Sequence, residues 1–182
     1  MNERIAEASP SRKAKIAGIF YLLTFLTGGV ALFVRGRVGM AAGLIAGACY
    51  IAVTLLFYQL FKPVNRNLSL FAAFVSLVGI AVGPLRVKGV NPLVFFGFYC
   101  LLIGYLIFSS TFLPRILGGL MAFASLGWLT FLYPPLANQL YPYNMFPGMI
   151  GEGALTVWLL VKGVDEQRWK EQASAAGASI WR

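Results

Sequence analysis

The sequence predicts an all-α, polytopic transmembrane helix bundle with six spans and both termini in the cytoplasm. Three observations carry the prediction. Hydrophobic residues make up 59% of the 182-residue chain, charged residues only 12%, and the mean hydropathy is +0.76, outside the range of soluble domains. Apolar runs long enough to cross a hydrocarbon core of ~30 Å alternate with short links that hold nearly all the charge. The links are also unequal. With the N-terminus inside, one side collects Arg4, Arg12, Lys13, Lys15, Lys62, Arg66, Arg115, Lys162, Arg168, Lys170 and Arg182, and the other only Arg35, Arg37, Arg86 and Lys88. That asymmetry selects cytoplasmic termini, and dropping the last span would abolish it.

Residues 1–15 form a polar, basic tail, in which Ser9 and Pro10 suit the N-cap and first turn of an entering helix. The first span covers 16–34, and the short link 35–39 forces the second, 40–61, to return beside it. Gly39, Gly43 and Gly47 place a small-residue stripe on that helix for close packing. Pro63 ends it, and Asn67 is available to cap the third span, 68–85, whose Ser69, Ala72, Ser76, Gly79 and Gly83 make a second small face. Asn91 and Pro92 open the fourth span, 92–108, with Gly97, Cys100 and Gly104 on one side. After a turn at 109–113, Pro114 starts the fifth span, 115–133, and Pro134 with Pro135 stops it. The link 136–147 lacks Lys and Arg and carries Tyr141 and Tyr143, suited to the headgroup level. The sixth span covers 147–161. Residues 162–182 form a cytoplasmic tail that begins as a helix, with Trp169 at the interface.

Composition narrows the chemistry. With 15 Lys and Arg against 6 Asp and Glu the chain is basic, but its cations lie between apolar runs, so they address the bilayer surface and not nucleic acid. Histidine is absent, which removes the commonest general base and metal ligand. Cys49 and Cys100 lie deep in apolar runs without metal-binding spacing and read as packing residues. Serine nucleophiles lack a base within any span, and acid-pair hydrolysis lacks a second carboxylate. An enzyme is therefore the weakest class, and no catalytic residue, metal or cofactor is expected.

The one acid within a span is Glu152, flanked by Gly151 and Gly153. It lies about five residues past Pro147, so ~8 Å below the start of its helix and in the outer third of the bilayer. A buried carboxylate there needs a proton, a cation or water, and Arg86 is the first-choice partner. Two readings follow. In one, Glu152, Arg86, Asn138, Tyr141 and Asn144 line an outward pocket that binds or transports a cation or small polar solute. In the other, the chain is a structural protein whose faces at Gly39, Gly43, Gly47, Gly79 and Gly83 pack on helices of a second copy or another membrane protein, and Glu152 pairs with Arg86 or a tyrosine hydroxyl to fix packing.

Several segments taken together resemble the bacterial domain-of-unknown-function 4386 family: 17–24 (AGIFYLLT), 60–65 (LFKPVN), 95–107 (FFGFYCLLIGYLI), 112–118 (FLPRILG), and Gly151-Glu152 followed by 158–164 (WLLVKGV). The resemblance implies a bacterial multi-span membrane protein without a settled activity. Members of that family usually carry longer segments between helices one and two and between helices three and four. If those segments cover an outer cavity or supply a partner for Glu152, this chain lacks that part. A pattern around Arg66, Leu68, Ala73, Phe74, Ser76 and Leu77 also recurs, at a constant offset of 49, around Arg115, Leu117, Ala122, Phe123, Ser125 and Leu126. Either a parallel repeat or chance agreement among common apolar residues accounts for it.

Overall fold

The computed structural model describes residues 9–85 and 89–179, and all regular structure among them is helical. In chain order the helices are α1 (Pro10–Phe33), α2 (Arg37–Phe61), α3 (Arg66–Leu85), α4 (Leu93–Ser109), α5 (Arg115–Leu129), the short α6 (Pro134–Leu140), α7 (Phe146–Val161) and α8 (Glu166–Ser179). Single 3₁₀ turns at Thr130–Leu132 and Tyr143–Met145 flank α6.

Local chemistry sets the boundaries. The Ser9 hydroxyl accepts from the Arg12 amide at 3.2 Å and Pro10 occupies the first turn, so α1 begins inside the stretch read as a polar tail. The α1–α2 turn needs a left-handed residue, and Gly36 supplies it at φ 83°. At the start of α3 the capping residue is Asn65, whose Oδ1 accepts from the Leu68 amide at 3.0 Å, not Asn67. Pro134 and Pro135 do more than end α5. Proline is tolerated in a first turn because the amide it lacks would be unbonded there, and both residues open α6. The link 136–147 is thereby folded over the end of the α5–α7 hairpin.

The six long helices form a closed ring. Each packs on its neighbours in chain order, α1 to α2 and onward through α3, α4 and α5 to α7, and α7 returns to α1. α4 and α5 cross closely. There a methyl built on Gly104 would lie 2.9 Å from the Gly118 carbonyl oxygen, and one on Gly118 would lie 2.8 Å from that of Gly104. Inside the ring the largest fully buried side chains are Tyr21, Tyr99, Phe57 and Phe61.

α8 lies across one end of the ring. Trp169 Nε1 donates to the Leu60 carbonyl at 2.8 Å, the Asp165 amide donates to the Phe112 carbonyl at 3.2 Å, and the Thr111 amide donates to Gln172 Oε1 at 3.1 Å. Among the described residues four segments are long and apolar enough to cross a membrane: Pro10–Phe33, Arg37–Phe61, Arg66–Leu85 and Arg115–Leu132. α4, with 17 residues, and α7, with 16, are shorter. These apolar helices, with leucine, isoleucine and phenylalanine exposed on the outer surface of the ring, make the chain a multi-pass membrane protein.

Candidate functional site at Glu152

Glycines bring the site together. Gly151 has no side chain where α7 crosses the Leu120 carbonyl of α5, and Gly148 sits against the Trp128 indole, so α7 lies close enough on α5 for Glu152 to reach that indole. On the other flank Gly18 lies against Leu159 and Leu160 of α7, and Tyr21 follows one turn later on the same face of α1. The Glu152 carboxylate, 6% exposed, is held from both sides. Tyr21 Oη donates to Oε2 at 2.6 Å, and Trp128 Nε1 donates to Oε1 at 2.6 Å. Both hydrogen bonds are short. The contact with Tyr21 also closes the ring between its last helix and its first.

The surroundings of the carboxylate are aromatic and polar together. The Tyr21 ring packs on Phe25, Tyr50 and Phe57 with centroids 5.6, 5.7 and 5.9 Å away, and Tyr50 meets Phe96 edge-on at 4.9 Å and Tyr99 at 5.9 Å. The hydroxyls of Tyr50 and Tyr99 are buried, and neither makes a hydrogen bond of good geometry among the described residues. Further along the interior, Thr54 Oγ1 and Ser76 Oγ share a hydrogen bond of 2.7 Å, and Thr156 Oγ1 donates to the Glu152 carbonyl at 2.8 Å. All six helices of the ring thus bury a polar side chain.

The depth of Glu152 differs from the sequence expectation. Its partner Tyr21 stands midway along the 24-residue α1, so Glu152 lies at mid-height of the longest helices. Its distance from the start of α7 is short because α5 and α7 are short and the folded link lies over their end.

The other candidate site residues that the structure describes do not gather around this carboxylate. Arg86 lies outside the described residues. Asn138 and Tyr141 are exposed on and beside α6. Asn144 is buried, and its Nδ2 donates to Thr130 Oγ1 at 3.1 Å, while its Oδ1 has no partner among the described residues. The glycine stripe divides in two. Gly39 lies on the Val34 carbonyl, and a methyl on Gly79 would come within 2.7 Å of Phe95 Cβ, so both are close-packed. A methyl on Gly43, Gly47 or Gly83 would find its nearest neighbour at 3.7, 3.8 or 4.0 Å, and these three border an open apolar groove of about 480 Å³ that reaches Tyr50 and Phe96. Sequence reasoning missed Tyr21 and Trp128. The available signal was a hydrogen-bonding aromatic near a glycine in an otherwise apolar run, at Gly18 with Tyr21 and at Gly127 with Trp128.

Comparison with known proteins agrees with the sequence patterns. The model of a family described as "Domain of unknown function (DUF4386)" matches residues 35–87 and 89–163. The match includes Trp128 and Glu152 and leaves Tyr21 outside. An uncharacterised protein of the archaeon Archaeoglobus fulgidus is 26% identical over 127 residues, covering 62% of this chain and 76% of its own length. No solved structure matches. The family match takes in well over half of the chain, from the start of the α1–α2 turn to the end of α7, and the chain belongs to the DUF4386 family of proteins of unknown function.

Proposed function

We propose that the chain is a six-span protein of the bacterial cytoplasmic membrane with both termini inside, and that the Glu152 cluster is the occluded site of a binding or transport module for a small hard cation, Na⁺ or a proton. One observation carries this reading. An acid is enclosed at mid-height of the ring in one cluster with the buried tyrosines Tyr21, Tyr50 and Tyr99. Oxygen donors of this kind suit a hard cation, and an acid buried within a membrane has a high cost unless it serves a purpose. Access runs through the groove beside Gly43, Gly47 and Gly83, where the edge contact between Tyr50 and Phe96 stands between the groove and Tyr21. Asn138, Tyr141 and Asn144, with Arg86, would form the outer approach.

Trp128 supplies the test, because its indole bonds directly to the carboxylate. Titration of the purified protein with Na⁺, and separately with acid, is expected to give a saturable change in tryptophan emission. The change should disappear in Trp128→Phe and in Glu152→Gln. Wild-type emission that responds to neither ion rejects the cation site.

A second reading is favoured by the saturation of both carboxylate oxygens: Glu152 is a structural clasp. Under it, Glu152→Gln lowers folded yield and no ion response exists to lose. The orientation has its own test. Reporter fusions after residue 179 are expected to report a cytoplasmic location, and fusions within 136–142 an external one; the reverse pattern overturns the assignment.

A further inference from the structure

Away from Glu152, two cavities on the α5–α7 side of the ring meet end to end. One is an apolar groove of about 470 Å³ lined by Leu117, Gly153, Ala154, Val157 and Val161. The other, at the end where α8 docks, is a pocket of about 410 Å³ with a mixed lining that includes Thr111, Asp165 and Arg168. Trp158 and Lys162 line both. The floor of the groove at Gly153 is open, since a methyl built there would meet nothing within 4 Å. This distinguishes Gly153 from Gly151, which is pressed onto α5. From Gly153 to Lys162 the groove follows α7 for ~14 Å, along the axis an acyl chain takes in a leaflet.

We infer that this composite cavity holds one diacyl glycerophospholipid, an acyl chain lying along α7 over Gly153 and Val157 and the phosphodiester between Lys162 and Arg168. The charges suit it. Arg168 Nε lies 3.6 Å from Asp165 Oδ2, and its Nη1 donates to the Thr111 carbonyl at 3.4 Å, so the guanidinium is held at the pocket with one charge offset by Asp165. The Lys162 ammonium has no partner among the described residues and leaves the pocket with a single net positive charge, the complement of one phosphodiester. Trp158 stands where chain meets headgroup, the level at which membrane tryptophans collect. Phosphate chemistry alone would suit a soluble phosphate as well, but the apolar groove opening from the same pocket selects an amphiphile. The inference does not depend on the role of Glu152.

The test is native mass spectrometry of the full chain in mild detergent, titrated with phosphatidylglycerol, with diacylglycerol as a probe having chains and no phosphate, and with glycerol 3-phosphate as the converse. Wild type is expected to retain one phosphatidylglycerol, and neither comparator should displace it. Gly153→Leu, which fills the groove, and Lys162→Gln, which removes the free cation, should each lower retention about tenfold. Leu70→Phe, on exposed α3, should not. Val157→Trp is a second groove-filling variant should Gly153→Leu express poorly. Retention unchanged in the groove-filling variant or in Lys162→Gln overturns the two-ended site. So does diacylglycerol binding equal to that of phosphatidylglycerol, or capture of glycerol 3-phosphate alone. Loss of a dimer instead of a lipid in the groove variants would assign the groove to a second copy of the chain.

Discussion

Glu152→Ala is expected to destabilise the folded protein by ~2–4 kcal/mol, measured by reversible unfolding in bilayer-mimetic micelles. The substitution leaves the Tyr21 hydroxyl and the Trp128 indole without an acceptor inside the ring, and it opens a cavity where the carboxylate stood. Each lost bond costs ~0.6–2 kcal/mol in a membrane protein, where the reference state also finds partners, and the cavity adds to this. Glu152→Gln should cost less, ~1–2 kcal/mol, since it keeps the volume and one acceptor oxygen. An alanine variant as stable as wild type would remove the carboxylate from any structural role.

Gly118→Val is expected to cost at least as much, ~3 kcal/mol or more, and to lower the yield of folded protein sharply. The new Cβ would stand 2.8 Å from the Gly104 carbonyl oxygen and 2.9 Å from Phe108 Cδ2. A backbone oxygen cannot move aside as a side-chain end can, so α4 and α5 must separate. Gly43→Val is the control, because its nearest neighbour is the Ala31 methyl at 3.7 Å. Thermal stability in detergent should fall for the first and hold within ~0.5 kcal/mol for the second. Equal losses at both positions would mean that these backbone contacts do not decide the packing.

The contrast between these two glycines shows what was legible in the sequence. The all-helical class and the membrane setting follow from hydropathy and run length, which report burial in lipid irrespective of partner. The Ser9 cap was equally local. Close helix crossings were not, because a glycine at four-residue spacing is the same letter whether a carbonyl or open space faces it. Gly43 and Gly47 stood out by spacing and border a groove, whereas Gly104, Gly118 and Gly151 carry the tight contacts.

Glu152 shows the same division. An acid in an apolar run is visible from sequence, and its need for donors follows from electrostatics. Its partners are set by the closure of the ring, which brings residue 21 beside residue 152. The sequence offered Arg86, which lies outside the described residues, or a tyrosine hydroxyl without saying which tyrosine. Among the described residues neutral donors of α1 and α5 hold the carboxylate, and neutral donors in apolar spans carry no charge signal by which to be singled out. Counting from Pro147 also takes each helix as a full span, whereas α7 has only 16 residues and the partner Tyr21 stands midway along the 24 residues of α1.

The clasp between α1 and α7 is best tested by a double-mutant cycle on Tyr21→Phe and Glu152→Gln, read as unfolding free energy of the full chain in bicelles. The hydrogen bond of 2.6 Å between them predicts a coupling energy of ~1–2 kcal/mol, the second substitution costing little once the first is made. Costs that add to within ~0.3 kcal/mol would contradict a direct bond between Tyr21 and Glu152, and with it the closure of the ring at the buried acid.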